Sequence, residues 1–322
     1  MKINMAKLSE DQKSVRDYLS KYSIYLILLG MIILMTFMSD SFLTMSNMLN
    51  IVRQISMLAI IGFGATMIII TTGIDLSPGS VVAVASIVSA IFAHPDPRYP
   101  LIVPIILGIL VGAVAGLING VIVAYAKLPA FIATLGMMTA ARGVALIISQ
   151  GHPVTGFTKE FDFIGSGNFL GIPVMIYVLL LCGAVSYIIL RHTKLGKRIY
   201  AIGGNAQAAV VSGINVNRTL LFVYVYGGIM AAVSGIMLAS RLSSGQPMAG
   251  LGYEMDAITG VVIGGTSLAG GVGTIQGTLI GALIIGVLNN GMDLLHVSGY
   301  YQQVLKGVII VGAVMMDKVR NK

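Results

Sequence analysis

Long apolar stretches, separated by short polar or basic segments, dominate the chain. A helix that crosses a membrane needs about 20 mostly apolar residues. The pattern predicts ten candidate spans, near residues 22–39, 54–72, 79–93, 101–125, 129–149, 173–190, 219–240, 255–270, 274–292 and 300–316. We therefore expect an all-α, polytopic membrane protein in which some helices are short or broken.

The composition agrees with this pattern. Of 322 residues, 56% are hydrophobic and 10% are charged, whereas soluble domains contain about 25% charged residues. These values exclude a soluble enzyme, a disordered protein and a secreted disulfide scaffold. Cys182 is the single cysteine, so no disulfide or cysteine-based metal site forms within one chain.

Basic residues concentrate in three segments. The chain has a net charge of +8, and its lysines and arginines cluster in residues 1–21, 191–218 and 318–322. Short basic segments beside hydrophobic spans mark the cytoplasmic face. Six candidate spans separate the first cluster from the second, and four separate the second from the third. Because both numbers are even, we expect all three clusters and both termini in the cytoplasm, and we interpret the charge as a topology signal, not a nucleic-acid surface.

The same topology predicts one membrane domain. Residues 22–317 would form it, between a cytoplasmic N-terminal segment, 1–21, and a cytoplasmic tail, 318–322. Residues 94–100, 150–172, 241–254 and 293–299 would lie outside. No small-residue cleavage site follows the first apolar run, so we expect an uncleaved span rather than a signal peptide.

Gly108, Gly112, Gly116 and Gly120 recur every four residues within one candidate span. This spacing places small residues along one helix face, where they permit close helix packing. We expect a packing face.

Two glycine-rich segments, 73–79 and 264–271, interrupt apolar stretches, and three of seven positions match between them. Paired breaks of this kind point to a transport pathway, because irregular backbone in a membrane must be satisfied by protein or water. The candidate residues for a translocation path are Gly73, Asp75, Ser77, Gly79, Gly264, Gly265, Thr266, Ser267, Gly270, Gly271, Asn289 and Asn290.

The few charged residues within or beside the spans allow more than one role. Asp75 would either cap the following helix, with Ser77 as a rival cap, or bind a cation or relay protons. Glu254 and Asp256 are expected to complement the dipole of a helix start. Arg142 and Lys306 would face the bundle interior or extend to an interface.

The basic loop 191–218 contains a predicted short helix. Asn205 is a favourable N-cap and Gly213 a favourable stop, which predicts a helix of about two turns. Weakly polar residues on a loop that faces water suit the docking of a soluble partner, although a helix lying on the membrane surface is an alternative. The residues assigned to this role are Asn205, Ala206, Gln207, Ala208, Ala209, Ser212 and Gly213.

No motif for catalysis is present in the sequence. A phosphate-binding loop of the Gly-x-x-x-x-Gly-Lys-Ser/Thr type is missing, so any ATP hydrolysis must come from another polypeptide. No Ser/His/Asp set, His-Glu-x-x-His motif or pair of catalytic carboxylates is found. We expect no enzymatic activity, no bound metal and no cofactor in this chain.

Several segments resemble one transporter family. The most specific is Ala201–Val216, which is similar to the cytoplasmic signature of ribose-type monosaccharide ABC importer permeases, in the branched-chain amino acid/sugar permease family. The matching segments also include Thr72–Ser77, Arg241–Ser244, Tyr253–Ala257, Gly264–Gly271, Leu288–Gly291 and Tyr300-Tyr301. The resemblance extends from about Tyr22 to Asp317.

The resemblance implies a homodimer in the lipid of a bacterial inner membrane. Its partners would be a cytoplasmic ABC ATPase, which binds the ATP and magnesium, and a periplasmic or lipid-anchored sugar-binding protein. The segment from Asn205 to Gly213 would be the coupling helix that docks on the ATPase. Many relatives have Glu where this chain has Gln207. This difference argues against a charged contact at that position, whereas the expected docking helix is unaffected.

Two classes of function remain to be compared. The first is an ABC permease that carries a monosaccharide by alternating access, with ribose expected and xylose, galactose or an autoinducer-type furanose as alternatives. The second is an ion-coupled secondary transporter that uses Asp75. A membrane-embedded enzyme has no candidate catalytic set in its favour.

Overall fold

A computed structural model describes residues 24–320 of the chain, with side chains up to residue 315. This part contains thirteen helices and four two-residue strands. The helices are α1 Ile24–Met38, α2 Met45–Ile70, α3 Pro78–Phe92, α4 Ile102–Ala124, α5 Ala130–Ser149, α6 Lys159–Ser166, α7 Val174–His192, α8 Lys194–Gly204, α9 Ala206–Val211, α10 Val216–Leu242, α11 Tyr253–Ile263, α12 Ile275–Leu294 and α13 Gly299–Arg320. The strands are β1 Val154–Thr155, β2 Asn168–Phe169, β3 Ile172–Pro173 and β4 Ser244–Gly245.

Helices α2 and α10 form the centre of the bundle. Helix α10 packs against α2, α3 and α4, and α2 also packs against α7, α11 and α12. The core between them includes the fully buried Phe63 and Tyr224. Helices α4, α5 and α7 lie at the periphery and expose apolar side chains over much of their length. This distribution is typical of a bundle whose outer face contacts lipid.

The glycine face of α4 packs directly on α10. A Cβ at Gly112 would overlap the Gly228 carbonyl, and one at Gly116 would overlap the Tyr224 carbonyl. Gly108 and Gly120 meet Ile236 and Leu221 of the same helix. The predicted packing face is therefore confirmed.

Six of the described helices are long and apolar enough to cross a membrane, namely α2, α4, α5, α7, α10 and α12. Helices α1 and α3 are apolar but shorter. The expectation of an all-α membrane protein with some short helices is confirmed, because the strands are only short loop pairs, β1 with β4 and β2 with β3.

Two span boundaries differ from the prediction. Helix α2 begins at Met45 rather than near 54, because Thr44 caps it and the buried Asn47 exchanges two hydrogen bonds with Asn290. Helix α11 ends at Ile263 rather than near 270. The chain directly after it takes positive φ at Gly265, which ends the helix, and again at Gly270 and Gly271 later in the second glycine-rich segment.

Helices α6 and α8 are not among the predicted elements. Helix α6 lies in the 150–172 loop and packs on the end of α10, where the Gly165 amide donates to Ser240 Oγ at 2.6 Å. Strand β1 in the same loop pairs with β4 of segment 241–254, and Arg98 forms an ion pair with Glu160 at 2.8 Å. Three of the predicted outer loops thus meet at the C-terminal end of α10, whereas α8 and α9 lie at its N-terminal end.

The terminal segments are only partly described. Residues 1–21 lie outside the described residues, and so do 321–322. The backbone of 318–320 continues α13.

Candidate translocation path and docking helix

Helix α9 has the two ends that the sequence predicts. Asn205 Oδ1 accepts a hydrogen bond from the Ala208 amide at 2.9 Å. At the other end Gly213 has φ +78°, and the amides of Gly213 and Ile214 donate to the carbonyls of Val210 and Ala209. This is the Schellman arrangement, in which a residue with positive φ closes the helix. The prediction of a short helix between Asn205 and Gly213 is confirmed.

Most of α9 is uncovered. Val211 is 89% exposed and Val210 is 59% exposed, whereas Ala209 is buried against the rest of the chain. The remaining members of the predicted set, Ala206, Gln207, Ala208 and Ser212, are also exposed. Two exposed valines on a helix of six residues form a surface that a partner or a membrane would cover. We call α9 with its caps Asn205 and Gly213 the docking helix, after the role that the sequence predicts for it.

Helix α8 connects the docking helix to the membrane bundle. Thr193 caps it by accepting from the Gly196 amide at 3.2 Å. Tyr200 donates its hydroxyl hydrogen to the Gly273 carbonyl at 2.7 Å. Burial raises the pKa of the Tyr200 hydroxyl above its ordinary value, against a smaller opposing effect of Arg191, so the donor stays protonated. Helix α8 is thereby bound to the chain just after the second glycine-rich segment.

The C-terminal end of α8 contacts both the end of α2, just before the first break, and the second break itself. A Cβ at Gly203 would overlap the Ile70 carbonyl, and the Gly271 amide donates to that same carbonyl at 2.9 Å. Gly270, with φ +87°, lies against Gly203 and Thr72. We call Ile70, Gly203, Gly270 and Gly271 the glycine joint. It brings the end of α2, just before the first break, into direct contact with the second break and with the end of α8, just before the docking helix.

Asp75 organises the first break. It is buried, and its Oδ1 accepts from the Ser77 amide at 2.8 Å and from Ser77 Oγ at 2.6 Å. Ser77 is the N-cap residue of α3 but makes no side-chain cap bond itself, because its hydroxyl donates to Asp75. Asp75 therefore supports the start of α3, although through the amide of the cap residue and not through the first turn.

The environment of the Asp75–Ser77 pair is polar and buried. Asn119 Nδ2 donates to Ser77 Oγ at 3.0 Å. Gly73 lies under Tyr224, whose hydroxyl would be 2.7 Å from a Cβ at that position. Asn119 Oδ1 and the Tyr224 hydroxyl have no hydrogen-bond partner among the described residues. Asn119 and Tyr224 were missed in the sequence because neither belongs to a recognisable motif.

The starts of α3 and α11 lie against each other inside the bundle. A Cβ at Gly79 would overlap both Glu254 Oε2 and the Gly250 carbonyl. Arg142 on α5 supports the segment before α11, because it donates to the Pro247 carbonyl at 2.6 Å and the Ala249 carbonyl at 2.9 Å. Arg142 thus faces the bundle, as expected.

Asp256 does more than complement a helix dipole. Although it is in the first turn of α11 together with Glu254, Asp256 Oδ2 lies 2.8 Å from Lys306 Nζ on α13. Asn289 Nδ2 donates to the same oxygen at 3.1 Å. Asn290, its neighbour in sequence, is bound instead to Asn47. The two asparagines therefore belong to different networks, and the pairing of Asp256 with Lys306 was not predicted.

The second break is held by its own backbone and by close packing. Ser267 accepts from the Ala269 amide at 3.1 Å, and its own amide donates to the Val272 carbonyl at 3.0 Å. Gly264 contacts Gly277 of α12, where no side chain fits. Thr266 is fully buried. These residues shape the break.

The proposed match between the two breaks is not seen in the backbone. Gly265 and Gly271 have positive φ, but their counterparts Gly73 and Gly79 do not, and Gly79 lies within α3. The positive φ near the first break occurs at Thr72, just before it. The two matching glycine pairs therefore differ in conformation, although Gly270 and Gly271 contact Thr72 and Ile70, just before the first break.

Comparison with known proteins gives a consistent result. Residues 47–314 match the family described as branched-chain amino acid transport system / permease component. The chain is 44% identical to the ribose import permease protein of Haemophilus influenzae, with 97% of this chain and 98% of the relative covered. It is 44% identical to that of Bacillus subtilis, covering 98% of each, and 37% identical to the D-allose transport system permease protein of Escherichia coli, covering 94% and 93%. No solved structure matches the chain.

Proposed function

Since the chain belongs to the family of branched-chain amino acid transport system permease components, we propose that it is the membrane subunit of an ATP-driven monosaccharide importer. Relatives named ribose import permeases, at 44% identity over almost the whole chain, support ribose as the cargo. The relative named for D-allose, at 37% identity, keeps other monosaccharides as the alternative.

The observation that carries this proposal is the docking helix on the glycine joint. Its exposed valines offer an apolar surface to the cleft of a cytoplasmic ATPase, which would bind the ATP and magnesium. When nucleotide binding closes the two ATPase subunits, the docking helix and α8 would move together. The joint would transmit that movement to the breaks beside α2 and α11, and so drive alternating access.

The proposed topology has ten spans with both termini in the cytoplasm. The three basic segments support it, as does the separation of α8 and α9 from the loops at the opposite end of α10. Residues 22–317 would form one membrane domain, with the coupling loop 191–218 on the cytoplasmic side. The functional unit would be a homodimer in a bacterial inner membrane, served by a periplasmic or lipid-anchored sugar-binding protein.

The buried charges suit a neutral cargo. Asp256 is paired with Lys306, and Asp75 accepts two hydrogen bonds from Ser77. A sugar needs no fixed counter-charge along its path, whereas an ion-coupled transporter needs a carboxylate that exchanges its ion. The geometry at Asp75 therefore favours a structural role over ion coupling.

Uptake into proteoliposomes tests the proposal. The purified chain is reconstituted with its ATPase, and radiolabelled ribose is supplied with the binding protein. We expect uptake only when ATP and both partner proteins are present. Stimulation of ATP hydrolysis by a panel of sugars is then expected to identify the cargo. Uptake by this chain alone, driven by a sodium or proton gradient, would overturn the proposal in favour of the Asp75 alternative.

A further inference from the structure

One intramembrane ion pair lies apart from the docking helix and the glycine joint. Lys306 Nζ on α13 is 2.8 Å from Asp256 Oδ2 on α11, and Asn289 Nδ2 on α12 donates to the same oxygen at 3.1 Å. Three helices therefore bring a cation, a carboxylate and an amide to one point, where the two charges cancel. We call Asp256, Asn289 and Lys306 the polar triad.

The polar triad reaches the surface of the chain. The side chain of Lys306 is 31% exposed and that of Asp256 is 11% exposed. Lys306 lies seven residues after Gly299, the start of α13, which is about 10 Å along the helix axis. A charged side chain that faces hydrocarbon at such depth costs up to about 3 kcal/mol. The exposed edge of the pair is therefore expected to face water or a second subunit rather than lipid.

The hydrogen bonding of the triad is incomplete. Asn289 Oδ1 is buried and has no partner among the described residues. The triad lines a cavity together with Thr259, Ile285 and Ile309, and the space is enough for about one water molecule. A buried amide oxygen without a partner costs about 1–3 kcal/mol. A water or an incoming hydroxyl group would remove that cost.

We propose that the polar triad is a subsite for the hydroxyl groups of the sugar in transit, an inference that rests on the proposed import function. A hydroxyl group both donates and accepts hydrogen bonds, so it is matched to Asp256 and Asn289 Oδ1 as acceptors and to Lys306 as a donor. Ile285 and Ile309 offer apolar contact to the C–H face of the ring. A set of polar groups without net charge suits a neutral polyol.

The cavity also indicates how the subsite is used. Space for about one water is too small for a pentose, so the ion pair closes the site in this conformation. Helix α13 packs mainly against α11, and its other face is exposed. Separation of α13 from α11 would open the triad to the sugar, and the return of Lys306 to Asp256 would close it.

Cysteine labelling tests whether the triad lies on an aqueous path. Cys182 is replaced by Ala, and single cysteines are introduced as Ile309→Cys beside the triad and Ala184→Cys on the exposed face of α7, each the eleventh residue of its helix. During ATP-driven turnover of the assembled complex, we expect a charged, membrane-impermeant thiol reagent to modify the first at least about tenfold faster. Equal rates in every nucleotide state would overturn the subsite.

Uptake measurements test the chemistry. Asp256→Asn and Lys306→Met are expected to lower ATP-driven ribose uptake at least about tenfold, because each leaves one charge unpaired, whereas Arg98→Gln breaks the exposed pair with Glu160 and should leave uptake unchanged. Wild-type uptake by both triad variants would also overturn the subsite. If the unmodified complex imports no sugar with ATP, the import function itself fails, and the labelling result still reports whether water reaches α13.

Discussion

Asn205 and Gly213 mark the two ends of the docking helix for opposite reasons. Asn205 contributes a side-chain oxygen to the Ala208 amide, whereas Gly213 is required for its lack of a side chain, because its φ is +78°. A helix of six residues is too short to be stable on its own. Both ends must therefore be fixed locally if the exposed valines are to be presented in one orientation.

Replacing Gly213 with Val is expected to weaken docking. A β-branched residue at this positive φ costs about 1–3 kcal/mol, which is enough to unfold the last turn of the docking helix. We expect less ATPase to co-purify with the variant, while insertion into the membrane is unchanged. Gly151→Val is the matched control, because Gly151 has φ +75° and open space around it in the loop 150–172. Undiminished co-purification with Gly213→Val would contradict the placement.

Substitutions at Asp75 distinguish a structural role from a role in ion coupling. Asp75→Asn keeps an Oδ1 that accepts from the Ser77 amide, so ATP-driven uptake should stay within about twofold of the wild type if the role is structural. Asp75→Ala leaves that buried amide unpaired, at a cost of about 1–3 kcal/mol, and should lower both thermal stability and uptake. Loss of uptake in Asp75→Asn, with stability retained, would instead indicate that the charge itself is needed.

At the scale of elements, the interface between α4 and α10 depends on glycine. Gly112 and Gly228 lie backbone to backbone, since a Cβ on either would overlap the carbonyl of the other. Such close contact increases van der Waals packing, which holds helices together in a membrane where apolar burial does not distinguish protein from lipid.

Gly112→Val is expected to destabilise the bundle. Overpacking costs about 1–3 kcal/mol even in cores that relax, and here the added atoms meet backbone. The midpoint of thermal unfolding in detergent should fall clearly below that of the wild type. Gly30→Val on α1, where nothing lies within 4 Å of an added Cβ, should leave it unchanged. An equal midpoint for the two variants would show that α4 can move away from α10 without loss.

The elements also show what the sequence can predict. Local signals worked well: the caps at Asn205 and Gly213, and the glycine period of α4, act within a few residues. The start of α2 was missed because Asn47 is satisfied by Asn290, 243 residues away in the sequence. The same holds for the site, since the role of Gly203 depends on its contact with Ile70, and that of Asp256 on its ion pair with Lys306. Long-range contacts of this kind leave no periodic signal.

At the scale of the whole molecule, the glycine joint brings together the end of α2, the second break and the end of α8, just before the docking helix. In the proposed mechanism, docking and transmission would therefore be separate steps that use different residues. Val210 and Val211 would bind the ATPase, whereas Gly203 would pass its movement to Ile70 and Gly271. A variant that alters the joint but not the valines should separate the two steps.

Gly203→Ala is that variant. Its Cβ would overlap the Ile70 carbonyl, so α8 must shift away from α2, whereas Gly204→Ala has open space and serves as the control. We expect Gly203→Ala to retain the ATPase on co-purification and to hydrolyse ATP, but to lower ribose uptake by about tenfold, because the strain of about 1–3 kcal/mol falls on the joint. Full uptake would mean that the movement takes another route. Loss of the ATPase itself would mean that Gly203 positions the docking helix instead of transmitting its movement.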